Sequence, residues 1–312
     1  MKHKTIALWM YRNDGGDIIQ EKLKTLLENE NIKVINNFDM RECYSLNGRV
    51  YTQDGFDLSS VDAFYHMNMD EFSEYQNEIL QALELSGVKT INTSRAFNTA
   101  KDKFITNLLL TKNGINVPPA MLVNPKNAPI LAKDIFDKWK IIIIKPTGNH
   151  GGKGIIKFDD LEQFKDFVEA TKDSYKSYYI EKFIDFDEHD YRVEIFKNKV
   201  IWCYCRGKNI HSFKTNISSG GHLISDIPSK EFEEIALKAT KIIDIDTTIV
   251  DMIRSKEDGK IYILEVNPIM GIFLESFLKY SNKVKERTSY GSLLQDEKKL
   301  ALLTKHLISL VK

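Results

Sequence analysis

Asp251, Glu265 and Asn267 are the residues whose types and spacing point most directly to chemistry. Glu265 and Asn267 stand two apart in Ile263-Leu-Glu265-Val-Asn267-Pro268, a run with strand character, so their side chains leave the same face. Asp251 belongs to the preceding strand-like run, residues 247–254, across the turn Glu257-Asp-Gly259, close enough to share that face. Two carboxylates and an amide oxygen make a hard-oxygen set suited to Mg²⁺, which completes its octahedron with waters and nucleotide phosphates. A solvated sheet face with polar alternation is the competing account. Val250, Met252, Leu264 and Val266 form the apolar face of the same pair.

An anion site is suggested by Lys145-Pro-Thr-Gly-Asn-His-Gly-Gly-Lys-Gly154, with four glycines and two lysines between strand-like residues 140–144 and 155–158. Glycines let backbone N–H groups turn inward, and the lysines add charge. The loop lacks the Gly-x-x-x-x-Gly-Lys-[Ser/Thr] order of a P-loop, and a plain glycine-rich hairpin is the alternative. His150 within it is either a phosphate contact or a solvent-facing loop residue. Asp190, Arg192 and Glu194 alternate on one face of a predicted hairpin, away from Tyr191, Val193 and Ile195. Arg206 precedes Phe213-Lys-Thr-Asn-Ile-Ser-Ser-Gly-Gly221, where Lys214 and Asn216 could hold a transferring phosphoryl group. Lys103 lies one turn of helix after a turn region and Lys145 at a strand edge, positions where a lone lysine otherwise faces solvent.

The elements that must position these groups follow from periodicity. Residues 5–10, 33–36, 61–66 and 89–92 read as strands, alternating with helices from Asp17 and over 75–85, which predicts a parallel sheet flanked by helices. Residues 43–58 read as a polar excursion with a hairpin at Leu46-Asn47-Gly48. Residues 94–113 read as one helix capped by Ser94 and stopped by Gly114 and Val117-Pro-Pro119. Further on, 120–123, 177–184, 190–196, 199–206, 247–254 and 260–266 read as strands. Residues 159–168, 229–244 and 293–311 read as helices. The turn-rich Arg12-Asn-Asp-Gly-Gly16 lacks the Gly-x-Gly-x-x-Gly order of a dinucleotide fold, which disfavours an NAD-dependent enzyme.

Composition narrows the classes. The 312 residues, 42% hydrophobic and 28% charged, suit a globular protein with sizeable cores. Forty-four basic residues balance 44 acidic ones, so no global field favours nucleic acid or an anionic membrane. Cys43, Cys203 and Cys205 give no disulfide framework, and Cys203 and Cys205 read as buried thiols rather than metal ligands. No stretch approaches a membrane span or a signal peptide, and the cytoplasm is the expected compartment.

Taken in order, Lys103, Lys145 with its glycine loop, Glu181-Lys-Phe-Ile184, Asp190-Tyr-Arg192, Asn216 and Asp251…Glu265-Val-Asn267 resemble the ATP-grasp fold, in the RimK-like branch of α-L-glutamate ligases. The resemblance spans about residues 90–275 and implies an α/β (α+β) chain with an N-terminal parallel-sheet domain. The expected division is 1–93, 94–180 with the lid, and 181–312 with the metal site. It implies that Lys103 and Lys145 contact ATP phosphates beneath a lid carrying Gly151, Gly152 and Lys153. Glu181, Lys182, Phe183 and Ile184 would form the adenine hinge, Asp190 would meet the ribose, and Arg192 would support the site. Arg206, Lys214 and Asn216 would sit near the γ-phosphate, and Asp251, Glu265 and Asn267 would bind two Mg²⁺, with Mn²⁺ as an alternative.

The implied activity is an ATP-dependent carboxylate–amine ligase working through an acyl-phosphate. Its partners would be an acid and an amine: an amino acid, a peptide or a protein tail, possibilities that include glutamate addition and crosslinking of a precursor peptide. A dimer or tetramer is the family's expectation, and a non-catalytic ATP-binding module is the reading from another class. Two departures stand out. Asn267-Pro-Ile-Met-Gly271 replaces the family's Asn-Ala-Ser-Pro-Gly, and Lys214 replaces an arginine, giving a point charge in place of a bidentate fork. Tyr65-His-Met-Asn68 and residues 209–225 are expected to line the acceptor side.

Overall fold

A computed structural model describes residues 4–10, 16–69, 72–146, 154–208, 212–215, 222–226, 230–271 and 292–312. Strand and helix alternate first: β1 (Thr5–Trp9), α1 (Gly16–Glu28), β2 (Lys33–Ile35), β3 (Tyr44–Leu46), β4 (Arg49–Tyr51), β5 (Ala63–His66), α2 (Ser73–Leu85) and β6 (Lys89–Ile91). Four of these strands form a parallel sheet in the order β2-β1-β5-β6, as the alternation predicts. β3 and β4 form the expected hairpin through Asn47 and Gly48, both with positive φ (51° and 77°), which suits a two-residue turn. Ile19, Leu23 and Leu27 of α1 pack in one core of this unit, and Ile79, Leu80 and Leu83 of α2 in another.

Residues 94–113 form two helices rather than one, α3 (Ser94–Lys101) and α4 (Lys103–Lys112). The break is Asp102, whose backbone is extended (φ −86°, ψ 103°) and whose carboxylate accepts from the N–H groups of Phe104 and Ile105. A side-chain cap satisfies the donors that a new helix start exposes, so the acid inside a helical pattern wins locally. Thr93, not Ser94, caps α3. The break makes Lys103 the first residue of α4.

Next come β7 (Ala120–Val123), α5 (Ala128–Trp139), β8 (Ile142–Lys145), β9 (Ile156–Phe158), α6 (Leu161–Thr171) and β10 (Tyr178–Lys182). Their strands pair antiparallel as β7-β10-β8-β9, with Ala132 and Ile135 of α5 and Phe164 and Val168 of α6 packed in the core of this layer. The last part holds β11 (His189–Phe196), β12 (Lys199–Gly207), β13 (His222–Asp226), α7 (Lys230–Ile243), β14 (Thr247–Arg254), β15 (Ile261–Val266) and α8 (Ser292–Val311). Its antiparallel sheet runs β13-β12-β11-β14-β15. The edge strand β13 was not among the sequence expectations.

The period of two along β11 and β14 sorts their side chains. Tyr191, Val193, Ile195, Val250 and Met252 enter a core with Phe232 and Ala236 of α7, joined by Ala96, Ala100 and Leu110 of α3 and α4. Their alternates on the other face carry the charges. Helix α8 returns to the start of the chain: Leu300, Leu303, Leu307 and Val311 pack with Ile6 and Leu8, each burial contributing about 1.5–3 kcal/mol. Phe196, Ile201 and Ile249 extend that core into the five-stranded sheet. The expected boundary at 93/94 falls between β6 and α3, whereas that at 180/181 falls inside β10. Among the described residues no helix is long and apolar enough to cross a membrane.

Candidate active site

A cleft lies between the four-stranded antiparallel sheet and the charged face of the five-stranded sheet. The first sheet contributes Ile143 and Lys145 from β8 and the β10 exit Lys182, Phe183 and Ile184. The second contributes Asp190, Arg206, Asp251, Ile253, Leu264 and Glu265. Lys103 enters from the start of α4, and Phe213, Lys214 and Thr215 border the cleft from their loop. Apolar walls with a few cations and carboxylates suit a ligand with a flat apolar part and an anionic tail.

Asp251 and Glu265 are register partners across β14 and β15, which places the two carboxylates side by side. A bulge follows at once, since the next pair is Met252 with Ile263. Two residues of β15 then oppose one of β14, so Leu264 joins Glu265 on the cleft side. Leu264 is therefore not on the apolar face with Val250, Met252 and Val266, as strict alternation predicts. Asn267 is fixed through its backbone N–H and its Nδ2, which donate to the Ile249 carbonyl at 2.9 and 2.7 Å, leaving Oδ1 as the acceptor end of the amide. Thr248 Oγ1 donates to the Asn267 carbonyl at 2.5 Å.

Each carboxylate already has a cation. Lys103 Nζ pairs with Glu265 at 2.9 Å, and Arg192 Nε donates to Asp251 Oδ1 at 2.7 Å. Arg206 donates to both oxygens of Asp190, Nε to Oδ1 at 3.0 Å, and reaches Asp251 Oδ2 at 3.3 Å through Nη2. Thr215 Oγ1 adds a bond to Asp190 Oδ2 at 2.7 Å. Burial works against both guanidinium charges, but Asp251 and Asp190 outweigh it and hold Arg192 and Arg206 above the ordinary arginine value. Across the cleft, Lys145 Nζ and Glu181 Oε2 form a buried pair at 2.5 Å. The polar face is thus a packed charge ladder rather than a solvated surface, with Asp190 only 2% exposed.

Among the described residues no three His, Cys, Asp or Glu side chains cluster as an all-protein metal cage. Two carboxylates and the Asn267 amide oxygen fit Mg²⁺ in the form that a phosphate chain completes.

The structure brings ten of the expected site residues to the cleft, from Lys103 and Lys145 through the hinge to Asp251 and Glu265. Glu181 and Arg192 act on it through Lys145 and Asp251. Lys182 sends its ammonium outward to Glu257 at 2.9 Å, while its N–H bonds to Pro119 O. Gly151, Gly152, Lys153 and His150 of the glycine loop, and Asn216, lie outside the described residues, as do residues 12–15.

The expectation for Tyr65-His-Met-Asn68 is corrected at its first two residues, whereas Asn68 borders a second cleft with Trp9, Met10 and Asn37. Tyr65 is buried in a core, and His66 is buried against Gln76 and Asn92. β5 is a central strand covered on both faces, so its alternation does not expose one side. Thr215 and Thr248 were missed, because a lone threonine carries no spacing signal. Cys203 and Cys205 lie in the core beside α7, as expected for buried thiols.

Two antiparallel sheets facing each other across a cleft lined by cations and paired carboxylates are the arrangement of an ATP-grasp fold, and the comparisons agree. The family model for the RimK-like ATP-grasp domain matches residues 100–283. The "Probable alpha-L-glutamate ligase" of Legionella pneumophila (strain Corby) is 27% identical over 258 residues, 80% of this chain and 82% of its own. The tetrahydromethanopterin:alpha-L-glutamate ligase of Methanocaldococcus jannaschii is 28% identical over 218 residues, 67% of this chain and 72% of its own. The structure of ATP-grasp ligase PsnB complexed with minimal precursor, Mg and ADP aligns with a TM-score of 0.59 at 17% identity, covering 94% of this chain and 98% of that one. The chain belongs to the RimK-like ATP-grasp family. It is a carboxylate–amine ligase that uses ATP.

Proposed function

We propose that this ligase activates a carboxylate as an acyl-phosphate and passes it to the amine of an amino acid, with glutamate as the first candidate and a peptide or protein tail as the acid. A carboxylate oxygen attacks the γ-phosphorus, the bond to the β–γ bridging oxygen breaks, and ADP leaves. The amine then attacks the acyl carbon, phosphate leaves, and the nitrogen loses a proton to give the amide. The observation that carries this reading is the pairing of Asp251 with Glu265 beside Arg206 and Lys214 in one cleft. No protein nucleophile is required.

In this reading Lys103 and Lys145 hold phosphate oxygens under the lid of Gly151, Gly152 and Lys153, and residues 181–184 meet adenine. Arg206, Lys214 and Asn216 offset charge on the transferring phosphoryl group. Asp190 is assigned to the ribose, but with Arg206 and Thr215 bonded to it, its best-supported task is to aim that guanidinium. Asp251, Glu265 and Asn267 would hold two Mg²⁺, or Mn²⁺, which when bound neutralise the β- and γ-phosphates. Residues 1–93, 94–180 and 181–312 are proposed as the pre-ATP-grasp domain, the central lid-bearing subdomain and the metal-bearing subdomain. Assembly as a dimer or tetramer belongs to the same proposal, with sedimentation velocity as its test.

The decisive assay is ADP release over a panel of acids and amines, with product masses. Gain of one glutamate residue on the acid supports the reading. Loss of one water within a single peptide would replace it with internal crosslinking. Undiminished turnover by protein carrying both Asp251→Ala and Glu265→Ala would sink the metal assignment.

A further inference from the structure

Asn92 follows β6, is 1% exposed, and uses both ends of its amide. Nδ2 donates to the carbonyls of Thr247 at 2.8 Å and Pro268 at 2.7 Å. Oδ1 accepts from the N–H groups of Asp246 and Thr247 at 3.2 and 2.9 Å and from Thr247 Oγ1 at 3.3 Å. Its own carbonyl meets His66 Nε2 at 3.2 Å. Gln76 Nε2 donates to His66 Nδ1 at 3.0 Å, so the imidazole proton sits on Nε2 and points at Asn92. Burial pushes the His66 pKa down to about 4, which keeps the ring in that neutral form.

The two segments that this amide joins are the ones that carry the metal-ligand set. Thr247 begins β14, which reaches Asp251 four residues later, and Pro268 directly follows Asn267. Asn267 is tied back to the same strand through Ile249 and Thr248. The spacing between β14 and the Asn267 turn is therefore held from both sides, and the outer clamp is contributed by the N-terminal parallel sheet. An amide suits this place because it donates twice and accepts three times at one position, which no apolar side chain of its size can do.

We propose that Asn92 is a positioning residue for the divalent-cation site, holding the Asn267–Pro268 turn so that the Asn267 oxygen meets the cation shared by Asp251 and Glu265. The proposal rests on the metal assignment made above. Groups that orient metal ligands typically set affinity by about 10- to 100-fold. A simple interdomain staple would lower stability and leave cation affinity alone.

The test is binding of a non-hydrolysable ATP analogue by calorimetry, without metal and across a Mg²⁺ titration, with thermal unfolding measured on the same samples. Asn92→Asp keeps the acceptor oxygens but loses both donors, and Asn92→Ser is a gentler second variant. Ile91→Val, on the adjoining buried residue of β6, controls for lost packing, and Asp251→Asn controls for the metal assignment itself. Both Asn92 variants should bind the analogue without metal as wild type does, and their half-saturating Mg²⁺ should rise about tenfold. Ile91→Val should leave it unchanged. An unchanged Mg²⁺ requirement in both Asn92 variants, with Asp251→Asn clearly raised, would overturn the proposal and leave the metal site standing. If Asp251→Asn is also unchanged, the metal assignment fails and takes the proposal with it.

Discussion

Replacing Lys299 with methionine leaves Glu194 as an uncompensated carboxylate on the face of β11 opposite Val193 and Ile195. The pair lies at 2.9 Å with each side chain 1% exposed, so solvent cannot substitute for the missing partner. At that distance the attraction is about 6 kcal/mol for an effective dielectric constant of about 20, against which both charges have already lost their hydration. Removing one partner of such a pair costs about 3–5 kcal/mol, and the same is expected of Glu194→Gln. Lys299 also donates to Gly271 O at 3.4 Å and lies 6.0 Å from the Trp202 ring, so its loss loosens α8 from the sheet as well. The double variant Glu194→Gln/Lys299→Met buries no charge and should recover about 2 kcal/mol or more relative to the sum of the single losses. Urea unfolding followed by both far-ultraviolet circular dichroism and tryptophan fluorescence measures this, two probes being needed for a chain of several cores. Single variants that each cost less than about 1 kcal/mol, or a double variant equal to the sum, would refute the reasoning.

Burial holds the His66 pKa near 4, below its unfolded value of about 6.5, so the unfolded chain binds a proton that the native state refuses. Stability should be complete above about pH 6.5 and lower by about 2 kcal/mol at pH 5, and His66→Gln protein should lose that contribution in urea midpoints at the two pH values. Asp102→Ala should cost about 1 kcal/mol through the lost cap and raise the KM for ATP by displacing Lys103, whereas Asp102→Asn should largely preserve both; equal KM values would separate the break from the site. Burial pushes the thiols of Cys43 and Cys205 up to about 12, so neither should react with a thiol reagent at pH 8 until urea unfolds the chain.

What could be read from residues alone was what depends on local period. Alternation along residues 190–196 and 247–254 separates the core side chains from Asp190, Arg192 and Asp251, and the pleat does the same in the folded sheet. The turns at Asn47-Gly48 and Lys197-Asn198 were visible because positive φ demands such residues. The break at Asp102 was not, because a cap competes with an uninterrupted apolar stripe by only about 1 kcal/mol. Nor was the bulge that turns Leu264 into the cleft, since a two-against-one register belongs to a pair of strands and to neither strand by itself. The closing of α8 over the first sheet, and the amide of Asn92 bonded to residues 155 and 176 positions away, are long-range contacts with no local signature.

The charge ladder explains how a chain of zero net charge builds an anion site without remaining strained when no anion is bound. Lys103 rests on Glu265, Lys145 on Glu181, and Arg206 on Asp190 and Asp251, so each of these three cations has a carboxylate partner. Phosphate oxygens would compete with Glu265 for Lys103, and a divalent cation would replace that lysine on Glu265. Each arrival therefore lowers the cost of the other, because the group it displaces is the one its companion needs. Nucleotide and metal should accordingly bind with positive coupling, and the coupling should be largest at the Lys103–Glu265 pair, the more exposed of these contacts. Arg192 differs in kind: its bond to Asp251 comes from within the sheet, beside Tyr204, so it can stay in place and keep that carboxylate aimed while the exchange happens around it.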